Sequence, residues 1–403
     1  MGNRLINPYV IYSVSFGVAL LLYPLHWSGF YPSLHYSLII FLLISFLLSL
    51  IAAKWFTRGS ELERKAIPLT GVPQMMLISI VLYGFWTIEF VYAGGIPAYL
   101  ILAGKPYDYR TFGVPTLHVF LVTFSSFYVS YLFHAFRQSR NRMILILYLI
   151  NLLPALLIFN RGMLIMNLST SLFIYLYSRK SIESVFPVRK WPLLAIALVS
   201  ACLIFGAMGT LRVSREIKHF YVRSLVYEVG DATPLFMGSI IPSEFFWGYL
   251  YLTSPMANLQ LTTNLTRPEI SIKNFVLWGM NEVMPDAVSK RIDSYFGITK
   301  RKTPRIAPHL NASTIYAGSF MYGGWYTMGS MTLVLLCFPF LYKSVLPAES
   351  TYYVMGMAML NTLYLFLLFD NMLAFSGFSF QLFYPLLFSW IEKRRASSDA
   401  HYP

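Results

Sequence analysis

The run HYSLIIFLLISFLLSLIAA, residues 35–53, contains no Asp, Glu, Lys or Arg. A helix needs about 20 apolar residues to cross roughly 30 Å of hydrocarbon, so this run reads as a membrane span. Comparable runs recur, and ten spans are expected: Tyr9 to Leu25, His35 to Ala53, Gln74 to Tyr92, Pro115 to Phe136, Met143 to Phe159, Met163 to Tyr177, Trp191 to Gly209, Ile315 to Tyr342, Thr351 to Phe369 and Phe375 to Ile391. Composition agrees: 57% of the 403 residues are apolar and 12% are charged, a balance unsuited to a water-facing surface. The first run lacks a small-residue cleavage site and is soon followed by another span, so it is expected to be a span and not a signal. Cys202 and Cys337 both fall inside apolar runs and read as packing residues, not as a bridge or a metal pair. The expected fold is an all-α polytopic membrane protein with about ten transmembrane helices. Residues 1–209 carry seven spans, 210–314 form a large basic loop with short helices, and 315–403 carry three spans and a tail.

Charge orients the spans. With the N-terminus inside, the short cytoplasmic segments hold 16 Lys and Arg, whereas the short outer loops hold only Lys105, Arg110 and Arg161. Both termini are therefore expected inside. The outer segment 210–314 carries the other 12 basic residues; long loops translocate largely regardless of charge, so that concentration calls for a functional reason. The net charge of +14 then reports topology and not nucleic-acid binding.

Chemistry is expected on the outer side. The loop AGGIPAYLILAGKPYDYRTFGVP, residues 93–115, has the glycines and prolines of a shaped turn. Its Tyr107, Tyr109 and Arg110 beside Asp108 suit stacking on sugars with charged groups on hydroxyls; the alternative is an interfacial aromatic belt. Asn160-Arg161-Gly162 joins two spans in a tight turn, which holds a guanidinium fork at the membrane surface for a phosphate or merely anchors the turn. Arg212, Arg215, His219 and Arg223 fall on one helical face and suit a polyanion, or else form a solvated face paired with Glu216 and Glu228. Tyr249 to Leu261 reads as an amphipathic stretch dipping toward the bilayer. Residues 300–325, KRKTPRIAPHLNASTIYAGSFMYGGW, set Arg305 and His309 before the polar and glycine positions that enter the eighth span, where a cavity for a charged head group is expected.

Absences narrow the reaction. The chain has no HExxH, Cys/His metal spacing, P-loop, GxGxxG or paired-aspartate signature, so neither metal nor cofactor is expected. Many arginines and few outer acids fit a reaction whose main barrier is charge on a departing diphosphate.

Together the GGIP...YDYRTFGVPTLH segment, the Asn-Arg-Gly turn, the SP..NL stretch and the N..T.......YGG entry resemble the Wzy-type oligosaccharide repeat unit polymerases of O-antigen and capsule synthesis. The likeness covers most of the chain, although Tyr322-Gly323-Gly324 lacks the acid that family members commonly carry before the glycine. The resemblance implies a bundle like the GT-C type B glycosyltransferases in the bacterial inner membrane. It also implies metal-independent inverting transfer of an undecaprenyl-diphosphate-linked glycan onto a second lipid-linked unit at the periplasmic face. The implied partners are those lipid-linked glycans and membrane lipids, with room for a chain-length-regulating co-polymerase. On that reading Arg161, Arg212 and Arg215 meet the diphosphate, Arg223 and Arg305 support them, His309 or Asp231 is the base, and Tyr107, Tyr109, Arg110, Tyr322 and Tyr326 hold sugar. An O-antigen ligase shares the donor, a lipid-linked oligosaccharide flippase shares the substrate, and an assembly protein would leave the arginines replaceable.

Overall fold

The computed structural model describes residues 6–58, 71–103, 105, 112–178, 192, 199–200, 203, 206 and 225–399. Within them every named element is helical, and the only β pairing is an isolated bridge between Ser28 and Ala232. Five helices among the described residues are long and apolar enough to cross a membrane, as expected of a multi-pass membrane protein. The seventh expected span, Trp191 to Gly209, lies almost wholly outside the described residues.

The bundle helices are α1 (Pro8–Leu22), α2 (Tyr36–Phe56), α3 (Val72–Tyr92), α4 (Leu117–Ser139), α5 (Arg142–Leu157) and α6 (Arg161–Tyr177). Their starts are set locally. Asn7 accepts hydrogen bonds from the Tyr9 and Val10 N–H groups, both at 3.1 Å, with Pro8 at the first helical position; Asn141 and Asn160 cap α5 and α6 in the same way. The segment between α6 and the last helices contributes α7 (Glu244–Leu265), α8 (Ile272–Trp278), a π turn at Gly279–Val283 and α9 (Asp286–Phe296). After it come α10 (Ile315–Gly323), α11 (Trp325–Val345), α12 (Tyr353–Phe366) and α13 (Phe383–Asp399).

Two expectations are corrected. The eighth span is two helices, because Gly324 sits at φ 62° and ψ −134°, a conformation closed to residues with a side chain. The stretch Tyr249 to Leu261 is no amphipathic surface segment. From Thr253 to Gln260 every residue of α7 is buried, so the middle of this helix is a core element enclosed on all sides.

Contacts sort the loops into two ends. At the base, the Tyr177 hydroxyl donates to the Ile6 carbonyl at 2.9 Å, Lys343 donates to the Phe56 carbonyl at 2.7 Å, and Arg137 donates to Ser178 at 3.1 Å. At the other end, Gln260 accepts from the His35 N–H at 2.9 Å, Arg291 donates to Thr116 at 2.9 Å, and the Asp286 N–H donates to the Ala374 carbonyl at 2.6 Å. Residues 225–314 thus form a cap over one end. Beneath it, the Tyr12 hydroxyl joins Ser45 at 2.8 Å and Tyr316 at 2.7 Å, tying α1 to α2 and α10.

Candidate functional site

α4, α6 and α12 pack against one another, and their capped ends set the site. Thr170 on α6 and Thr362 on α12 meet at 2.9 Å on antiparallel helices. At 1.5 Å rise per residue, Arg161 stands about 13 Å from that level toward the cap and Phe366 about 6 Å, so Arg161 reaches the height of the segment that follows α12. α4 runs parallel to α6, with Arg137 on Ser178, which puts Thr116 and His118 within about a helical turn of the same level. Arg161 opens α6, where Asn160 accepts from the Met163 N–H at 3.0 Å. The residue is half-buried, and its guanidinium makes no hydrogen bond or ion pair among the described residues.

Asp370 and Asn371 come from the segment after α12. Asn371 donates to the Glu282 carbonyl at 2.7 Å and to its carboxylate at 3.0 Å, so the π turn is bolted to this segment. Lys300 lies 3.2 Å from the Glu282 carboxylate and donates to the Asn281 carbonyl at 3.0 Å. Burial pushes the Glu282 carboxyl above its ordinary range, opposed by Lys300 and Asn371. Gly318 makes room for this group, since a Cβ there would fall 2.4 Å from a Glu282 carboxylate oxygen. Asp370 is also raised, because protein packed around it displaces water, while the Asn371 N–H and Lys300 oppose the shift. The residue as a whole is exposed, while its carboxylate accepts from the Asn371 N–H at 2.7 Å. At α9, Asp286 is held below its ordinary range: burial favours the proton, but Lys290 and Ser376 outweigh it.

The third group is Glu89 on α3. Fully buried, it accepts from the Val114 N–H at 3.1 Å and meets His118 Nδ1 at 2.7 Å. Gly113, at φ 92°, lets the turn close: a Cβ there would lie 2.2 Å from the Glu89 carboxylate. The GVP portion of the 93–115 loop is therefore clamped to α3.

Six expected site residues, Arg212, Arg215, Arg223, Tyr107, Tyr109 and Arg110, lie outside the described residues. Of the rest, His309 and Asp231 share a neighbourhood, because His309 Nε2 meets the Val229 carbonyl at 2.7 Å. Asp231 is exposed at φ 48° and its carbonyl accepts from the Gly29 N–H at 2.7 Å, which fastens the loop after α1. Arg305 is exposed on the segment that Asn258 secures: Asn258 donates to the Leu310 and Ala312 carbonyls, each at 2.7 Å, and accepts from the Ile306 N–H at 2.8 Å. Tyr322, expected to hold sugar, is instead 2% exposed, with Arg301 5.0 Å above its ring. Tyr326 is exposed, on a separate groove with Arg267.

Sequence reading missed Glu282, Asn371, Asp370 and the Glu89–His118 pair as a group. Among the described residues no cluster of His, Cys, Asp and Glu could hold a metal ion. No protein-family model, curated protein or solved structure matches the chain.

Proposed function

We propose that the protein is a glycosyltransferase of the oligosaccharide repeat unit polymerase type, joining units carried on a polyisoprenyl diphosphate. The carrying observation is Arg161, a guanidinium with no partner among the described residues at the first position of α6, on a helix whose rise brings it to about the height of the segment that carries Asp370. In the reaction, an acceptor hydroxyl attacks the donor's C1, the bond from C1 to the diphosphate breaks with its electrons on oxygen, and the hydroxyl proton passes to a base. A preorganised guanidinium meets the leaving charge, worth about 3 to 4 kcal/mol by analogy with an oxyanion-hole donor. Asp370, whose crowded carboxyl binds a proton more readily than an ordinary aspartate, joins His309 and Asp231 as a candidate acceptor. Arg305 and, by the resemblance, Arg212, Arg215 and Arg223 supply further cations.

The finer topology belongs to the same proposal: ten spans, a GT-C type B bundle, a bacterial inner membrane, both termini cytoplasmic and the cap periplasmic. A flippase needs a polar route through the bundle, whereas the middle of this one is filled by Tyr12, Phe16, Tyr316 and Tyr364. Surface polysaccharide from a deletion strain tests the reading: one repeat unit per core supports a polymerase, and none points to a ligase or flippase. In complementation, Arg161→Ala and Asp370→Asn are expected to abolish laddering at normal protein level, with Arg161→Lys poorly tolerated because a point charge lacks the fork. Normal ladders from both variants would remove the site assignment.

A further inference from the structure

A groove of about 640 Å³ opens beside the heads of α2 and α11. Its floor is Gly323-Gly324, where α10 turns into α11, and a Cβ on Gly324 would already touch Pro268 at 3.5 Å. One wall is polar. Gln260, Thr263 and Asn264 of α7 are cross-bonded there, with the Gln260 amide donating to Thr263 at 3.1 Å and to Asn264 at 2.7 Å. Arg267 closes this wall. Its Nη1 donates to the Thr263, Asn264 and Thr266 carbonyls at 3.0, 3.1 and 3.0 Å, capping α7 and fixing the guanidinium plane. Nη2 and Nε make no hydrogen bond among the described residues, so three N–H donors on two nitrogens stay unspent beside the groove.

The opposite lip is aromatic and apolar, with Trp325 39%, Tyr326 70% and Ile270 65% exposed. Below it, α2 presents Ile40, Leu43 and Ile44 and α11 presents Leu333, all exposed on helices suited to a bilayer. Three chemistries are therefore stacked: an apolar track, an oriented cation, and a chamber of hydroxyls, amides and aromatic faces. A bare phosphate would use only the second. We infer that this groove binds the sugar-phosphate head of a lipid entering sideways from the bilayer, with its chain along α2 and α11. Sugar hydroxyls match Thr263, Asn264 and Gln260, ring faces stack on Trp325 or Tyr326, and phosphate takes the free edge of Arg267. Such binding goes beyond the proposed transfer chemistry and requires no turnover at Arg161.

The test uses the full chain in nanodiscs of neutral phosphatidylcholine, with native mass spectrometry as the readout and polyprenyl-phosphate glucose as the probe. The wild type is expected to bind it. Arg267→Gln should weaken binding about tenfold, the scale of one lost charge-assisted hydrogen bond. Asn264→Trp, which fills the chamber from an exposed position without touching the α7 cap, should abolish it. The loss caused by either groove variant should be as large in an Arg161→Ala background as in the wild type, which separates this site from the transfer reaction. Glucose 1-phosphate competing as well as the lipid would overturn lateral lipid entry, and equal uptake of phosphatidylglycerol would overturn sugar recognition. Unchanged affinity in both groove variants would overturn the site itself.

Discussion

Helices α2 and α7 are nearly equal in length, at 21 and 22 residues, yet they solve burial in opposite ways. α2 buries a narrow stripe, Leu38, Leu42, Ser45, Ser49, Ala53 and Phe56, and turns Ile40, Leu43, Ile44 and Leu47 outward. Where the solvent is hydrocarbon, bulky apolar groups face it without cost and small or hydroxylated residues face the neighbours. α7 has no such choice. Thr253, Asn258, Gln260 and Thr262 are all fully buried, and each finds a protein partner, as in the 2.9 Å bond from Thr253 to the Tyr31 hydroxyl. One helix is dissolved in lipid; the other is the spine of the cap.

The sharpest way to break this contrast is Asn258→Ala. It strips three hydrogen bonds and leaves the Leu310 and Ala312 carbonyls and the Ile306 N–H without their partner, costing about 3 kcal/mol or more. Hydrogen exchange should show residues 306–312 opening while α2 stays protected; unchanged protection would refute the spine role. Slightly smaller is Ile44→Arg, a charge placed on the lipid side of α2, at about 2.5 to 3 kcal/mol in a membrane-insertion assay. Ordinary insertion of that variant would mean this face meets water or protein.

The cap should also carry a pH dependence. Glu282 and Asp370 bind a proton more tightly folded than unfolded, so the stability they add is present below the ordinary carboxylate range and is lost as pH rises through their raised values. Melting temperature should therefore climb as pH falls from neutral toward the ordinary carboxylate range, and Glu282→Gln with Asp370→Asn should flatten the slope. A wild-type melt that rises with pH would contradict the shifts. The smallest effect is expected from Leu47→Ala, under about 0.5 kcal/mol in a detergent melt, since that side chain is 59% exposed on the lipid face.

Runs without charge marked the bundle helices well, and the starts at Tyr36 and Arg161 fall within two residues of the expected ones, because hydrocarbon thickness and the residues His35 and Asn160 that begin these helices are local facts. The break at Gly324 escaped, since apolarity continues across it and only the backbone angles record the turn. The site was legible in part. Arg161 stood out because its turn is short, whereas Glu282 and Asn371 are 89 residues apart and Glu89 and His118 are 29 apart, with no period linking them. Asn258 did register, as part of the SP..NL stretch, but its task of holding residues 306–312 belongs to tertiary structure.

The hydroxyl pair between Tyr12 and Tyr316 has a consequence for how the molecule is made. The two residues are 304 positions apart, so at ordinary ribosomal speeds the first helix waits on the order of 15 to 60 s before its partner is even synthesised. Through that interval the Tyr12 phenol has only Ser45, 33 positions on, to bond, and the nascent chain carries a half-answered polar group at the edge of lipid, which makes it a natural client for whatever escorts half-built membrane proteins.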